Sequence, residues 1–286
     1  MSERIDAHHH LWRYRKEDYG WIGPGMEVIA RDFLPANLAV EMRRVGIAGS
    51  VAVQARQSLD ETNWLLSLAA ENEFIRGVVG WAPIATTGFA GMLEKLVEQK
   101  KLKGLRHVIQ DEPDENFING TEFNAGIARL AATGLVYDIL IFERHLPAAI
   151  AFVDQHPKQI FVLDHIAKPR IKDRLVEPWR SRIVELAKRD NVYCKLSGMV
   201  TETNQAQWMR SDLQPYFDTV LKAFGPGRLM FGSDWPVCLL ACTYSRWHET
   251  VLELTEELSS SEKELVFGRV ATKVYSLKNS TPGVAH

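Results

Sequence analysis

Short apolar runs rich in β-branched residues alternate with amphipathic stretches along almost the whole chain, and this alternation limits the fold more than any other feature. We count eight such runs in the 286 residues. They indicate strands, because the buried strands of a parallel sheet are continuous apolar segments between polar or glycine residues. The predicted strands span residues 4–8, 50–54, 75–81, 103–107, 135–141, 160–165, 192–196 and 228–234.

The stretches between these runs repeat apolar residues at the spacing of a helix face. The clearest span residues 34–46, 60–72, 89–101, 123–134, 145–157 and 179–190. Strands alternating with helices predict an α/β protein with a single (β/α)8 TIM-type barrel, a fold of about 250 residues. A doubly wound open sheet is the alternative, but the Gly-rich phosphate loop typical of that fold does not follow the first strand. We expect one barrel domain over residues 1–277 and a frayed tail over residues 278–286.

The composition narrows the classes of function. Hydrophobic residues make up 46% of the chain, charged residues 24%, and the formal net charge is −2. This balance, without a clustered basic stripe, predicts no binding to nucleic acid or to an anionic membrane. No apolar run approaches the roughly 18 residues of a membrane span, and no secretory signal follows the N-terminus. We expect a cytoplasmic protein with a small-molecule partner; the sequence leaves a homo-oligomer open.

Polar side chains interrupt the predicted strands mainly at their C-terminal ends. In a (β/α)8 barrel these ends meet on the one face where active sites are built. The side chains concerned are His8, His10, Gln54, Trp81, Arg106, His107, His165, Lys195 and Asp234. We expect them to surround a common site.

Residues 8–10 are three consecutive histidines, which resemble the remnant of a purification tag. An apolar strand precedes them, however, and Leu11 and Trp12 continue into a loop rich in aromatic residues. Side chains alternate along an extended segment, so His8 and His10 are expected to project together and His9 to point elsewhere. The pair can hold one ion or one substrate. The alternative is a polar turn of three solvated histidines.

Three cationic or ionisable side chains on the predicted strands need polar partners, because burial of an unpaired charge is costly. Arg106, His107 and Lys195 are suited to polarise a carbonyl oxygen or to bind substrate hydroxyls at the barrel mouth. Structural ion pairing is the alternative for each of them. The candidate acidic partners are Asp111, Asp138 and Asp164.

Aromatic residues lie beside the predicted site. Trp12, Trp81 and Trp235 can cover the flat face of a small-molecule ring, such as the C–H face of a sugar, although packing in the core is an equal alternative. Gln54, at the end of the second strand, is a candidate for binding substrate. The long connection 10–33 is expected to form a lid or a pocket wall.

Three motifs resemble the amidohydrolase superfamily, in its branch of sugar lactonases. They are "DAHHHLW" (6–12), "LDHIAKP" (163–169) and "FGSDWPV" (231–237). The resemblance extends over nearly the whole chain and is greatest to L-fuconolactonases; L-rhamnonolactonases and 2-pyrone-4,6-dicarboxylate lactonases are also similar. Further matching segments are residues 78–84, 103–114, 137–157 and 192–200.

This resemblance implies a hydrolase that opens a six-carbon aldonolactone, with L-fuconolactone favoured, to the aldonic acid. His8 and His10 match the family's His-x-His pair, His165 its strand-six histidine and Asp234 its strand-eight aspartate. Asp234 is then expected to take a proton from the attacking water and return it to the leaving oxygen. Asp234 could instead cap the following helix or turn. His165 is expected to orient water and substrate.

The sequence departs from the binuclear members of the superfamily at two places. Arg106 and His107 stand where those members have a carboxylated lysine or a glutamate. Residues 137–141, in the predicted fifth strand, also lack the histidine that those members have at the end of this strand. We therefore expect one weakly held divalent ion, zinc, on His8, His10 and Asp234, and we do not expect it to be essential. Two rivals remain open: a metal-dependent decarboxylase of an aromatic acid, and a barrel that binds a sugar acid without turnover.

Overall fold

The computed structural model describes residues 2–278. Eight parallel strands form one sheet whose spatial order is their order in the chain. The strands are β1 (Ile5–His9), β2 (Gly49–Val53), β3 (Ile75–Gly80), β4 (Leu102–Val108), β5 (Val136–Leu140), β6 (Phe161–Leu163), β7 (Val192–Leu196) and β8 (Leu229–Phe231). Each overlaps a predicted strand, and β7 has the predicted bounds.

The residues that follow β8 bring the last strand back to the first. The amide of Asp234 donates to the carbonyl of His8 at 2.8 Å, and the amide of His10 donates to the carbonyl of Trp235 at 2.6 Å. The sheet is therefore a nearly closed barrel rather than an open sheet. The prediction of a (β/α)8 barrel is confirmed. The predicted frayed tail lies outside the described residues, apart from Lys278.

Helices connect the strands on the outside of the barrel. They are α1 (Pro35–Val45), α2 (Leu59–Glu71), α3 (Phe89–Val97), α4 (Thr121–Leu130), α5 (Leu146–Gln155), α6 (Trp179–Leu186), α7 (Arg210–Phe224), α8 (Tyr244–Leu254), α9 (Ser260–Glu264) and α10 (Val270–Val274). Local chemistry sets their ends. In α1, for example, proline occupies the first helical position and Gly46 ends the helix in the left-handed region at φ 71°.

Two apolar clusters hold the barrel together. The larger one lies between the strands and the surrounding helices. The smaller one fills the barrel interior, with Ile5, Ala7 and Val51 among its members, and α10 contributes Val270 and Ala271 to it. Because this lower part of the barrel is packed with apolar side chains, polar chemistry is confined to the C-terminal ends of the strands.

Two strands are shorter than predicted. The sequence predicted strands to residues 165 and 234, whereas β6 ends at Leu163 and β8 at Phe231. In both places the chain enters the left-handed region, which an extended strand does not use. His165 has φ 52° and Asp234 has φ 55°. His165 and Asp234, two of the predicted site residues, therefore follow their strands instead of lying within them.

Candidate active site

A β-bulge in β1 aims its histidines. The β1–β2 register shifts by one residue between Asp6 and His9. Ile5 and Ala7 belong to the barrel interior, so strict alternation would send His9 inward. The extra residue reverses this. His9 points away and its Nε2 lies 3.0 Å from Ser50 Oγ, while His8 and His10 face the barrel mouth. Bulges commonly re-aim side chains next to active sites.

The turn after β6 places His165 beside these histidines. Four consecutive residues, 165–168, have left-handed backbone angles, a run that non-glycine residues rarely adopt. Gly198 allows the close approach that follows, because a Cβ there would lie 2.5 Å from Nδ1 of His165. Ser197 fixes the ring, with its Oγ 2.9 Å from that same Nδ1. Backbone strain of this kind is typical of functional sites.

Three imidazoles turn their Nε2 atoms toward Asp234. Oδ1 of this aspartate lies 3.4 Å from Nε2 of His10, 3.8 Å from Nε2 of His8 and 3.9 Å from Nε2 of His165. The Nδ1 atom of His10 is 2.8 Å from the carbonyl oxygen of Val53. That ring therefore carries its proton on Nδ1 and presents a lone pair on Nε2. All four side chains are buried, and His10, His165 and Asp234 line the floor of a cavity.

The donor atoms of His8, His10 and Asp234 fit a divalent metal ion. The two Nε2 atoms are 3.2 Å apart, and both lie within 3.8 Å of Oδ1 of Asp234. Zinc–nitrogen and zinc–oxygen bonds of about 2.0–2.2 Å in a tetrahedron require ligand atoms to be roughly 3.3–3.6 Å apart. The same three residues form a potential ion-binding group by the proximity of their ligand atoms. The expected ligand set is therefore assembled in the fold.

Burial keeps the imidazoles of His8 and His165 neutral. It lowers the pKa of His165 to about 4 and the pKa of His8 well below its usual value. For Asp234, burial alone would raise the pKa, but the adjacent His165 and His10 rings outweigh it and hold the pKa below its ordinary value. At neutral pH the site therefore combines the ionised carboxylate of Asp234 with the neutral imidazoles of His8 and His165, which suits both proton abstraction and metal binding.

Arg106 forms part of the wall of the site and is firmly held. Its Nη1 lies 2.9 Å from Oδ2 of Asp164, and its Nη2 donates to the carbonyl and to the side chain of Gln54. Both Arg106 and Gln54 line the cavity. Ion pairing and an active-site position, which the sequence presented as alternatives, therefore coexist at Arg106.

Lys195 is not where a substrate-binding residue would be. It is completely buried beneath the site, with Nζ 2.5 Å from Oδ2 of Asp138 and 3.0 Å from Oδ1 of Asp164. Lys195 does not line the cavity. The expectation that it binds substrate is corrected by this position, and the alternative of structural ion pairing with Asp138 and Asp164 describes it instead.

The cavity above the floor has a volume of about 430 Å³. This lies within the usual range for small-molecule sites, about 300–1,000 Å³. Five predicted site residues line it: His10, Gln54, Arg106, His165 and Asp234. The strand ends thus converge on one small-molecule cavity, as the barrel fold predicts.

His107 and Trp81 lie outside this cavity. Arg106 and His107 are neighbours on β4, and neighbouring side chains on a strand face opposite sides. His107 packs flat on Phe117 with ring centroids 4.9 Å apart, and its Nε2 is 2.6 Å from Glu112. The indole nitrogen of Trp81 is directed at Nδ1 of His107 at 3.3 Å. Neither residue is placed to act on a substrate, contrary to expectation.

Trp12 and Trp235 also pack in the core rather than against a ligand. Trp12 is fully buried, and its indole N–H donates to the carbonyl of Arg31 at 2.9 Å. Trp235 is 2% exposed and makes an edge contact with Phe33 at 5.0 Å between centroids. The core-packing alternative therefore holds for both.

Several cavity residues were not identified from the sequence. Trp21 is 39% exposed, lines the cavity and rests edge-on against Trp12 at 5.7 Å between centroids. It lies in the connection 10–33, which was expected to form a lid or a pocket wall. Lys168 belongs to the "LDHIAKP" motif, a signal that could have identified it. The other missed lining residues include Asp18, Arg56, Gln57, Gln110 and Thr201, and Asp111, which the sequence suggested only as an ion-pair partner, also lines the cavity.

Comparison with known proteins identifies the family of this chain. The amidohydrolase family profile matches residues 5–277. The chain is 44% identical to an L-fucono-1,5-lactonase of Burkholderia multivorans over 96% of both chains. It is 36% identical to an L-fucono-1,5-lactonase of Burkholderia ambifaria over 84% of this chain and 83% of that one.

A solved amidohydrolase structure from Burkholderia multivorans, with bound zinc, superposes with a TM-score of 0.93 at 42% identity. The match covers 97% of this chain and 100% of that one. No helix within residues 2–278 is long and apolar enough to cross a membrane. On the extent of the profile match and the identity to these relatives, the chain belongs to the amidohydrolase family.

Proposed function

We propose that this protein hydrolyses a six-carbon sugar lactone to its aldonic acid, with L-fucono-1,5-lactone as the favoured substrate. The observation that carries the proposal is the carboxylate of Asp234 at the cavity floor, facing the Nε2 atoms of His8, His10 and His165 within 3.9 Å. The identity of 44% to an L-fucono-1,5-lactonase supports this choice of substrate.

In the reaction, Asp234 acts as the general base. A water molecule held near the carboxylate and the ring of His165 attacks the lactone carbonyl carbon, and Asp234 takes a proton from it. The carbon–oxygen bond of the ring then breaks, and Asp234 returns the proton to the departing ring oxygen. Because the pKa of Asp234 lies below its ordinary value, the carboxylate is ionised at neutral pH and ready to accept the proton.

Fixed positive charge stabilises the negative charge that develops on the carbonyl oxygen. Arg106 and Lys168 both line the cavity. Arg106 cannot reorient freely because Asp164 and Gln54 hold its guanidinium group. Preorganised cations of this kind act without a reorganisation cost during the reaction.

A zinc ion at His8, His10 and Asp234 would supply Lewis-acid polarisation of the lactone carbonyl. The spacing of the three donor atoms fits such an ion, and a relative of 42% identity has been solved with bound zinc. The sequence expectation that binding is weak and not essential stays a prediction.

The upper part of the cavity is suited to a sugar. Trp21 offers an exposed ring to the C–H face of the lactone. Gln57, Gln110, Asp111 and Thr201 offer hydrogen-bond donors and acceptors to the hydroxyl groups.

The single-domain boundary at residue 277, the cytoplasmic location and a homo-oligomer stay predictions.

The test is a panel of five- and six-carbon aldonolactones with a pH indicator, run with and without a chelator. We expect acid release above the spontaneous rate, fastest with L-fucono-1,5-lactone. The absence of acid release from every lactone in the panel would overturn the proposal. A 2-pyrone dicarboxylate lactone and an aromatic carboxylic acid belong in the same panel, because turnover of either would favour another activity on this barrel.

A further inference from the structure

Beneath the cavity floor, Nδ1 of His8 contacts both a hydrogen-bond donor and an acceptor. The donor is Nζ of Lys195, at 3.1 Å. The acceptor is Oδ1 of Asp164, at 3.3 Å. All three side chains are completely buried. His10 differs, because its Nδ1 faces only the carbonyl oxygen of Val53 and its proton position is fixed.

The donor and the acceptor are held in place by their own partners. Lys195 Nζ lies 2.5 Å from Oδ2 of Asp138, which also accepts a hydrogen bond from the hydroxyl of Tyr275. Oδ2 of Asp164 lies 2.9 Å from Nη1 of Arg106. Two cations and two carboxylates thus form a balanced buried network. Such a network is rigid when every member has a partner.

Neutral His8 can therefore carry its proton on either ring nitrogen with a polar atom of the network within 3.4 Å of each nitrogen. With the proton on Nε2, that nitrogen points at the lone pair of His10 Nε2 at 3.2 Å, and Nδ1 accepts from Lys195. With the proton on Nδ1, the N–H faces Oδ1 of Asp164 at 3.3 Å, and the lone pair of Nε2 faces the candidate ion site and Nη1 of Arg106 at 3.4 Å. Only the second form can be a metal ligand.

We propose that Asp164 and Lys195 are positioning residues that set the tautomer of His8: Lys195 favours the proton on Nε2, and Asp164 favours the proton on Nδ1, which frees Nε2 to bind a divalent ion. The exchange removes one proton from Nε2 and adds one to Nδ1, so no net proton is gained or lost. The part of this inference that concerns metal affinity rests on the proposed metal site. The part that concerns the tautomer of His8 does not.

The first experiment observes the tautomer in metal-free protein. Nitrogen-15 NMR of histidine-labelled protein distinguishes the protonated ring nitrogen from the unprotonated one, and the spectrum of His8→Gln identifies the His8 signals. We expect Asp164→Leu to shift His8 to the Nε2–H form and Lys195→Met to shift it to the Nδ1–H form. A role in folding alone would not move the two variants in opposite directions.

Ser50→Ala is the matched control. Ser50 Oγ, on β2, contacts Nε2 of His9, the neighbour of His8 on β1, at 3.0 Å, so its loss also removes a hydrogen-bond partner from a buried histidine. The His8 signals should not change. If Lys195→Met does not fold, because Asp138 loses its counter-ion, Lys195→Met with Asp138→Asn removes one cation and one anion together. Asp164→Asn replaces Asp164→Leu for the same reason and should shift the tautomer in the same direction.

The second experiment measures zinc affinity by competition with a chromogenic chelator, without any lactone. A metal-binding histidine usually has a polar partner at the ring nitrogen that does not bind the metal. Loss of that partner typically weakens metal binding about 10–100-fold. We expect a loss of that size in Asp164→Leu and no loss in Lys195→Met. The inference is overturned if His8 keeps one tautomer in both variants, or if Lys195→Met loses affinity as Asp164→Leu does. A protein that shows these tautomer shifts but hydrolyses no lactone would refute the proposed function alone.

Discussion

Asp234→Asn tests the proposed mechanism most directly, because the structure separates its side-chain role from its backbone role. Asp234 has φ 55°, a left-handed conformation that asparagine tolerates well. Its amide donates to the carbonyl of His8 at 2.8 Å, and its carbonyl accepts from the amide of Cys238 at 2.9 Å. Neither bond involves the carboxylate. The variant should therefore fold with the loop unchanged while losing the base.

The size of the expected fall in kcat depends on which bases remain in the site when Asp234 is replaced by asparagine. The carboxylate of Asp164 is committed to Arg106 and Lys195, so it cannot replace Asp234. The ring of His165 is fixed at its Nδ1 by Ser197 Oγ at 2.9 Å, and in the proposed mechanism it orients the water rather than taking its proton. General-base catalysis contributes typically about 10²–10⁴-fold. We expect kcat to fall at least about 100-fold, or roughly 2.7 kcal/mol of transition-state stabilisation.

The assay is the pH-indicator measurement of lactone hydrolysis, giving kcat and KM separately. Asp234 is also a candidate metal ligand, so wild type and variant are compared both after chelation and at saturating zinc. Asp218→Asn, an exposed position on α7, makes the same chemical change away from the site and should retain wild-type kcat. If Asp234→Asn kept kcat within about threefold of wild type under both conditions, Asp234 would not be the general base.

Four further predictions concern the three histidines of β1, the pH dependence of the stability that His9 contributes, the exposed ring of Trp21, and the metal. We expect His9→Ala to leave kcat/KM nearly unchanged while His8→Ala and His10→Ala each reduce it, since only His9 points away from the cavity; equal losses in the three variants would contradict the bulge. Burial lowers the pKa of His9 to about 3, so unfolding takes up a proton below pH 6.5, and this histidine destabilises the fold increasingly as pH falls. Urea unfolding should therefore show the stability advantage of wild type over His9→Ala shrinking by about 2 kcal/mol between pH 7 and pH 5; a constant difference would be inconsistent with a neutral buried ring. Trp21→Ala should raise KM on the order of 3- to 10-fold with little effect on kcat, because a stacked aromatic ring contributes about 0.5–1.5 kcal/mol; an unchanged KM would exclude it as a platform. Prolonged chelation should leave most of kcat, since the fixed cations of the cavity remain; a fall to background that added zinc reverses would show that the ion is essential.

The strand and helix pattern of this chain could be read from the sequence because it depends on local periodicity. The eight apolar runs correspond to the eight strands, and Pro35 and Gly46 mark the two ends of α1 as proline and glycine commonly do. Once the barrel is predicted, its topology brings the strand ends together. His10, Gln54, Arg106, His165 and Asp234 could therefore be assigned to one site without coordinates.

The direction of individual side chains was decided by tertiary structure. Alternation alone could not show that His8 and His10 lie on the same side of β1 as Ile5 and Ala7. That arrangement requires a bulge in β1, and the bulge depends on pairing with β2. It also could not place Lys195 below the floor or His107 behind the wall, because a charge on a strand end has suitable partners on either side. Trp21 reaches the cavity from a long loop whose path follows no local period. Local periodicity specifies which elements form, whereas the partner of each buried polar group is set by contacts between residues distant in the sequence.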